Sequence, residues 1–363
     1  MKKSAPALLL VLGTTLALLP GCDKLVTEVN NNTYYDSTLA AACLTCHDGG
    51  SREDEIIKVP TGQWAASAHA STRLLEYRDP LYDSVTSTCG PICHTSQGFI
   101  RYDSTRVKTS VTAVATPAVI GCNTCHMAHS GKYGQWRMDT LRGDAQTVLL
   151  VNQSGYEAGQ SNMCAVCHQA IRYPVSVTDT AHITLTRTFG PHFSAQADVV
   201  ASKGGYHLGS AIPTDSSHGL GSRDGCLMCH FTGGQGYEFG QHSFRLENKT
   251  TGEQYVENCN VAGCHFSSSP PSTITAQGFY NRPGLDSLTN LAEGLRYVLE
   301  LSGMIGPDTL PINGKEVSAD SARVLYNYLL YVQDGSRGIH NPNYLYRLLK
   351  QSLDNILGTP PTR

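Results

Sequence analysis

The sequence predicts a mainly helical and irregular fold with little β structure, and three observations carry that prediction. The 363 residues include 35 glycines and 17 prolines against 40% apolar residues, a loop-rich composition. Twelve of the thirteen cysteines fall into six short motifs, each closed by a histidine and set too close together for each motif to own a domain. Long apolar stripes at helical spacing occur in the segment 273–363.

The N-terminus reads as a targeting segment. Residues 1–21, MKKSAPALLLVLGTTLALLPG, join a basic start to an apolar run that ends in small residues, the pattern of a secretory signal. No other stretch is long and apolar enough to span a bilayer. Leu19-Pro20-Gly21-Cys22 resembles the lipobox of bacterial lipoproteins, although proline is less usual at its place. That resemblance makes Cys22 the acylated first residue of the mature chain, with the membrane as a partner through the lipid. The alternative is an ordinary cleaved signal that leaves Cys22 free or removes it. Residues 22–40 lack periodicity and read as a tether.

From 41 to 266 the cysteine motifs dominate. They are CLTCH at 43–47, CGPICH at 89–94, CNTCH at 122–126, CAVCH at 164–168, CLMCH at 226–230 and CNVAGCH at 259–265. Their pairs are Cys43/Cys46, Cys89/Cys93, Cys122/Cys125, Cys164/Cys167, Cys226/Cys229 and Cys259/Cys264, which leaves Cys22 alone. C-x-x-C-H is the spacing of covalent c-type haem attachment. Two thiols about one turn apart reach the two vinyl groups on one haem edge, and the next histidine is held beneath the ring to bind iron. The sequence therefore predicts six haem c groups with proximal ligands His47, His94, His126, His168, His230 and His265. Two motifs depart from the common spacing, with three residues between Cys89 and Cys93 and four between Cys259 and Cys264. Their longer loops are expected to bulge and keep the last Cys-His pair in place.

Competing uses of paired cysteines fit less well. Disulfides do not require a histidine after every second cysteine. Thioredoxin-like redox pairs come with βαβ units, which the motif spacing excludes. Structural zinc shared between motifs stays open as an alternative, but the export signal directs the chain to the compartment where haem c is attached.

Each iron takes a sixth ligand or keeps an open site. Eight further histidines remain: His69, His129, His182, His192, His207, His218, His242 and His340. Methionine competes poorly, since Met127, Met163 and Met228 lie inside or against the motifs and Met138 and Met304 alone are free of them. Surplus histidine points to bis-histidine coordination and low reduction potentials.

The chain resembles the multihaem cytochromes of metal-reducing bacteria, including outer-surface types that assemble into conductive filaments, and more distantly the pentahaem nitrite reductases. The resemblance lies in WAASAHA, CNTCHMAH, GPHFSAQAD, SSHGLGSRDGCLMCH, GQHSF and DGSRGIHNPNY. It implies His69, His129, His192, His218, His242 and His340 as the distal ligands, and it covers most of the mature chain. His182 in TAHIT and His207 in GGYHLG match nothing in the family and read as surface side chains.

The run SSSPPS at 267–272 separates the motif region from the C-terminal segment. That segment predicts three helices. The first has a stripe of Leu288, Leu291, Leu295, Val298 and Leu299, and the second Val324, Leu325, Tyr328, Leu329 and Val332, closed by Gly335 at a C-cap. The third starts at Asn341-Pro342, an N-cap and first-turn pair, and carries Leu345, Leu348, Leu349, Leu353 and Ile356. His340 stands just before that start, where Gly335 and Gly338 permit a close approach. A ligand at His340 brings the segment back onto the haem region.

The charge of −3 becomes −5 when Lys2 and Lys3 leave with the signal, and haem propionates add to it. An acidic surface excludes nucleic acid as a partner and suits basic redox proteins or extracellular electron acceptors. The expectation is an electron carrier of the cell envelope or cell surface, with itself as a polymer among its partners. The alternative is a reductase of a small nitrogen or sulfur compound at one open haem, with His182, His207 and Arg223 near a pocket; the absence of a C-x-x-C-K motif argues against it.

Overall fold

The computed structural model describes residues 52–72, 90–105, 117–126, 155–172, 182–214, 225–231, 239–248, 250–260 and 283–358, with isolated positions between them. The signal, the tether, Cys22, Cys43, Cys46, His47, Cys89, His129, Arg223 and the 267–272 run lie outside the described residues. The architecture is mainly helix and coil with little strand.

Helix α1 (Arg52–Ala66) is followed by short helices α2 (Gly90–His94), α3 (Ser96–Thr105), α4 (Cys122–Cys125), α5 (Asn162–Cys167), α6 (Gln196–Val200) and α7 (Cys226–His230). Three long helices close the chain: α8 (Pro283–Leu301), α9 (Ala319–Asp334) and α10 (Pro342–Ile356). Among the described residues strands pair only as short antiparallel ribbons: β1 (Arg78–Asp79) with β2 (Tyr82–Asp83), β3 (Val148–Leu149) with β4 (Gly155–Tyr156), and β5 (His182–Thr184) with β6 (Glu316–Ser318). Among the described residues no helix is long and apolar enough to cross a membrane.

The long helices form for reasons visible in the chain. Leu288, Leu295 and Leu299 of α8, Val324 and Leu325 of α9, and Leu345, Leu348 and Leu349 of α10 are all fully buried. Each such side chain contributes about 1.5–3 kcal/mol by leaving water. The Ser318 hydroxyl caps α9 by accepting from the Ser321 amide, and Gly335 ends it in the left-handed region at φ 71°. Asn341 caps α10 by accepting from the Tyr344 amide at 3.1 Å, with Pro342 in the first turn. Gly338 is a close approach, because a Cβ there would fall 2.2 Å from Leu288 Cδ2.

The core beneath these helices extends further back than the 267–272 break suggests. Ala170, Val175, Leu185, Val199, Tyr206 and Ile212 pack in the same cluster as α8–α10. Asn327 of α9 clamps Tyr206 by both backbone groups, accepting from its amide at 2.7 Å and donating to its carbonyl at 2.8 Å. Tyr326 donates to the Arg172 carbonyl at 2.6 Å, and β5 pairs with β6 across the same junction. The packing unit therefore begins near Ala170, inside the motif region, and the boundary at 273 is not a boundary of the core. A second, smaller cluster around Ile92, Phe99, Tyr156, Met163 and Val166 lies among the motif helices.

Candidate functional site

Among the described residues, three cysteine motifs tie their closing histidine back to the first cysteine. The His126 amide donates to the Cys122 carbonyl at 2.9 Å, and the His168 amide to that of Cys164 at 2.8 Å. In the longer motif the His265 amide donates to the Cys259 carbonyl at 3.0 Å. The longer motif thus makes the same tie between its first cysteine and its closing histidine as the shorter ones.

The motif histidines do not stand alone. His168 faces His69 with ring centres 6.1 Å apart, His94 faces His192 at 5.9 Å, and His126 faces His242 at 6.1 Å. His265 faces His218 at 6.0 Å, and His230 faces His340 at 6.2 Å. Each pair joins a motif histidine to one of the six assigned by resemblance, across 47 to 116 residues of chain. The sequence reading left this pairing open; the fold decides it. His47 and His129, the two candidates left over, lie outside the described residues.

The spacing itself carries chemical information. Two imidazoles on opposite sides of one metal stand about 6 Å apart, taking about 2 Å for each metal–nitrogen bond and about 1 Å more to the ring centre. A tetrahedral metal would draw the same rings to about 5 Å. The observed 5.9–6.2 Å fits the opposed arrangement, which is that of two ligands on the faces of a planar ring. Among the described residues no group of three or more His, Cys, Asp or Glu side chains is arranged to hold a metal ion by itself.

Hydrogen bonds fix several of the rings through Nδ1. His168 Nδ1 donates to Gln196 Oε1 at 3.0 Å, His192 to the Phe193 carbonyl at 2.6 Å, and His230 to the Phe244 carbonyl at 2.9 Å. His218 donates to the Ile339 carbonyl at 2.5 Å and His340 to Asp334 Oδ1 at 2.6 Å. A carbonyl can only accept, so Nδ1 carries the proton and Nε2 keeps the lone pair a metal needs. Burial lowers the His69 pKa to about 4, with His168 adding to the effect, and burial followed by His126 does the same for His242. His230 is lowered by burial and by His340. Burial thus holds His69, His242 and His230 neutral at physiological pH, while the Asp334 carboxylate raises the His340 pKa against the effect of burial.

The cysteine-motif loops also touch one another. Ser96, just after the CGPICH motif, hydrogen-bonds Thr124 of CNTCH at 2.7 Å. Cys93 Sγ donates to the Val166 carbonyl at 3.9 Å and Cys167 Sγ to the Ile92 carbonyl at 4.0 Å, a reciprocal exchange between CGPICH and CAVCH. The Leu227 amide of CLMCH donates to Ser161 Oγ at 3.1 Å, just before CAVCH, and Cys164 lies within hydrogen-bonding reach of Cys226. Asn258, next to Cys259, donates to the Cys229 carbonyl at 2.6 Å. The contacts gather CGPICH, CNTCH and CAVCH around one cluster, from which CLMCH and then CNVAGCH follow.

The other two histidines behave differently. His182 lies exposed on β5 opposite Ser318, and His207 is exposed near Lys203. Neither has a histidine ring facing it among the described residues. Met304, one of the two methionines left free by the sequence, is buried in the core under α8–α10. Sequence reasoning missed Gln196, Asp334 and the carbonyls of Phe193, Phe244 and Ile339, because which oxygen meets a ring depends on how the backbone turns, one residue away for Phe193 and 121 for Ile339, and leaves no local pattern. No family model, no curated protein and no solved structure matches this chain.

Proposed function

We propose that the chain is a hexahaem c-type cytochrome that carries electrons along closely spaced, bis-histidine-ligated haems of the bacterial cell envelope or cell surface. The observation that carries this reading is the set of five histidine pairs, each 5.9–6.2 Å apart and each including the histidine of a cysteine motif. The haem iron supplies one-electron chemistry when bound. The residues then divide the work. The motif cysteines hold the group covalently, the motif histidine takes one face, and His69, His192, His218, His242 or His340 takes the other. His47 and His129 form the sixth pair by elimination.

Ligation on both faces suits transfer without a substrate at the metal, since no ligand has to leave when the charge changes. The mutual contacts of the attachment loops, from Ser96–Thr124 to Asn258–Cys229, support a row short enough for hopping between neighbours. Exported as a lipoprotein through Cys22, the chain would hold that row at a membrane surface, with redox proteins, extracellular acceptors or further copies of itself as partners.

The test is mass spectrometry with visible and EPR spectra on protein from a cytochrome-maturing host. Six covalent haems and wholly low-spin iron are expected. A colourless or zinc-bearing protein overturns the reading, and a high-spin fraction that binds CO or nitrite replaces the carrier with a reductase.

A further inference from the structure

The loop between α9 and α10 carries a feature that the ligand set does not require. His340 hands its Nδ1 proton to Asp334 Oδ1 at 2.6 Å, and the Asp334 side chain is fully buried. The second carboxylate oxygen, Oδ2, accepts from the Ser336 amide at 3.3 Å and from the Ser336 hydroxyl. Ser336 Oγ in turn accepts from the Gly338 and His340 amides, each at 3.2 Å. Gly335 and Gly338 adopt φ of 71° and 99°, so the chain folds tightly enough for residue 334 to reach residue 340. The result is a closed knot in which the carboxylate and the imidazole have fixed mutual positions.

The Nδ1 acceptors on other paired rings are neutral: the Gln196 amide oxygen for His168 and backbone carbonyls for His192, His218 and His230. A buried carboxylate differs from these in two ways. It pulls the Nδ1 proton more strongly, which makes the imidazole a more anionic and stronger donor to its metal. It also places a full negative charge in a low-dielectric setting one ring away from the iron, where it favours the more positive oxidation state.

We propose that Asp334 is a positioning residue that polarises His340 and makes the haem attached at Cys226 and Cys229 more strongly reducing than a neutral acceptor would. The proposal rests on the haem reading of the His230–His340 pair. It also gives this site a neighbour that can respond to it. Gln196 Nε2 donates to the Asp334 carbonyl at 2.9 Å while its Oε1 holds His168, so the same residue braces the ligands of two adjacent sites.

The experiment is a spectroelectrochemical titration of the haem-loaded full chain and of three variants. His340→Ala leaves one iron without its distal ligand, and the high-spin signal that appears identifies which component of the titration belongs to this site. In Asp334→Asn that component is expected to move to a more positive potential while remaining low-spin, with the other components unmoved or, through Gln196, moved slightly. Asp334→Glu restores the negative charge and should recover part of the shift. Independently of any variant, the ferric EPR spectrum of the parent should hold one low-spin signal with the smaller g spread of an imidazolate-like ligand, the one that His340→Ala removes. A titration of Asp334→Asn superimposable on the parent, or a parent spectrum without that signal, overturns the proposal. A parent without haem would instead overturn the haem reading, so the two failures are distinct.

Discussion

The unit formed by residues 170–212 with α8–α10 and the group of motif loops around it are built on different principles. In the first, large apolar side chains meet each other: Leu288, Leu295, Leu325, Leu330, Leu345 and Tyr326 are fully buried in one continuous cluster. In the second, the buried apolar cluster is small and includes alanines such as Ala158, Ala165 and Ala197, while loops are tied by hydrogen bonds through Ser96, Ser161 and Asn258. The comparison teaches that one half of the molecule is specified by its own side chains. The other, on the reading proposed above, depends on cofactors for the contacts that side chains do not supply.

The largest effect should come from withholding the haems. Expressed in a host without the attachment machinery, the protein is expected to lose its protease resistance in the motif region between 90 and 265. The helices α8–α10 should survive longer, as fragment mapping by mass spectrometry would show. Equal loss in both halves would break the contrast.

A cavity in the helical unit should be the next most damaging change. Leu325 is fully buried on α9, and Leu325→Ala is expected to cost about 2–5 kcal/mol in denaturant unfolding of the loaded protein. The spectra of the paired haems should change little at concentrations where the protein stays folded.

Asp198 sits where the two regions meet, between Ala197 of the smaller cluster and Val199 of the larger one. Its carboxylate accepts from the Ala170 amide at 2.6 Å, yet burial outweighs that bond and raises its pKa to about 6. The folded protein thus holds this proton more tightly than the unfolded chain. Its contribution is fully present below about pH 4 and is lost as pH rises through 6, about 3 kcal/mol in all. Unfolding followed from pH 4 to pH 8 should show Asp198→Asn gaining on the parent by that amount as pH rises. Parallel curves would place the carboxyl outside the buried junction.

Asn341 joins the halves more gently. It caps α10 and also donates to the Val199 carbonyl at 3.2 Å and Ser202 Oγ at 2.8 Å. Asn341→Ala should cost about 2 kcal/mol, the loss of a cap plus buried hydrogen bonds. Because His340 precedes it, the His230–His340 spectrum should broaden before any other. The smallest effect belongs to a partly exposed pair on α10, Lys350 with Asp354 four residues on. Asp354→Asn there should change stability by about 0.5 kcal/mol or less.

Much of this was legible in the chain. The stripes of α8–α10, the caps at Gly335 and Asn341 and the tight approach at Gly338 are local patterns with local causes, and the structure carries all of them. Helix α1 was not, since Pro60 lies inside it and its polar sequence gives no stripe. The reach of the helical core back to Ala170 was also hidden, because Tyr206 and Asn327 recognise each other across 121 residues.

The same division runs through the candidate site. The sequence by itself determined the six cysteine pairs and the histidine that closes each, because those motifs are made of residues that are neighbours in the chain. Only the tertiary structure decided which second histidine meets which first, and that a carboxylate rather than a carbonyl holds His340. The histidine pairs join segments 47 to 116 residues apart, and even Asp334 and His340, six residues apart, meet only through the left-handed turns at Gly335 and Gly338, so no spacing rule encodes either contact before the chain has folded.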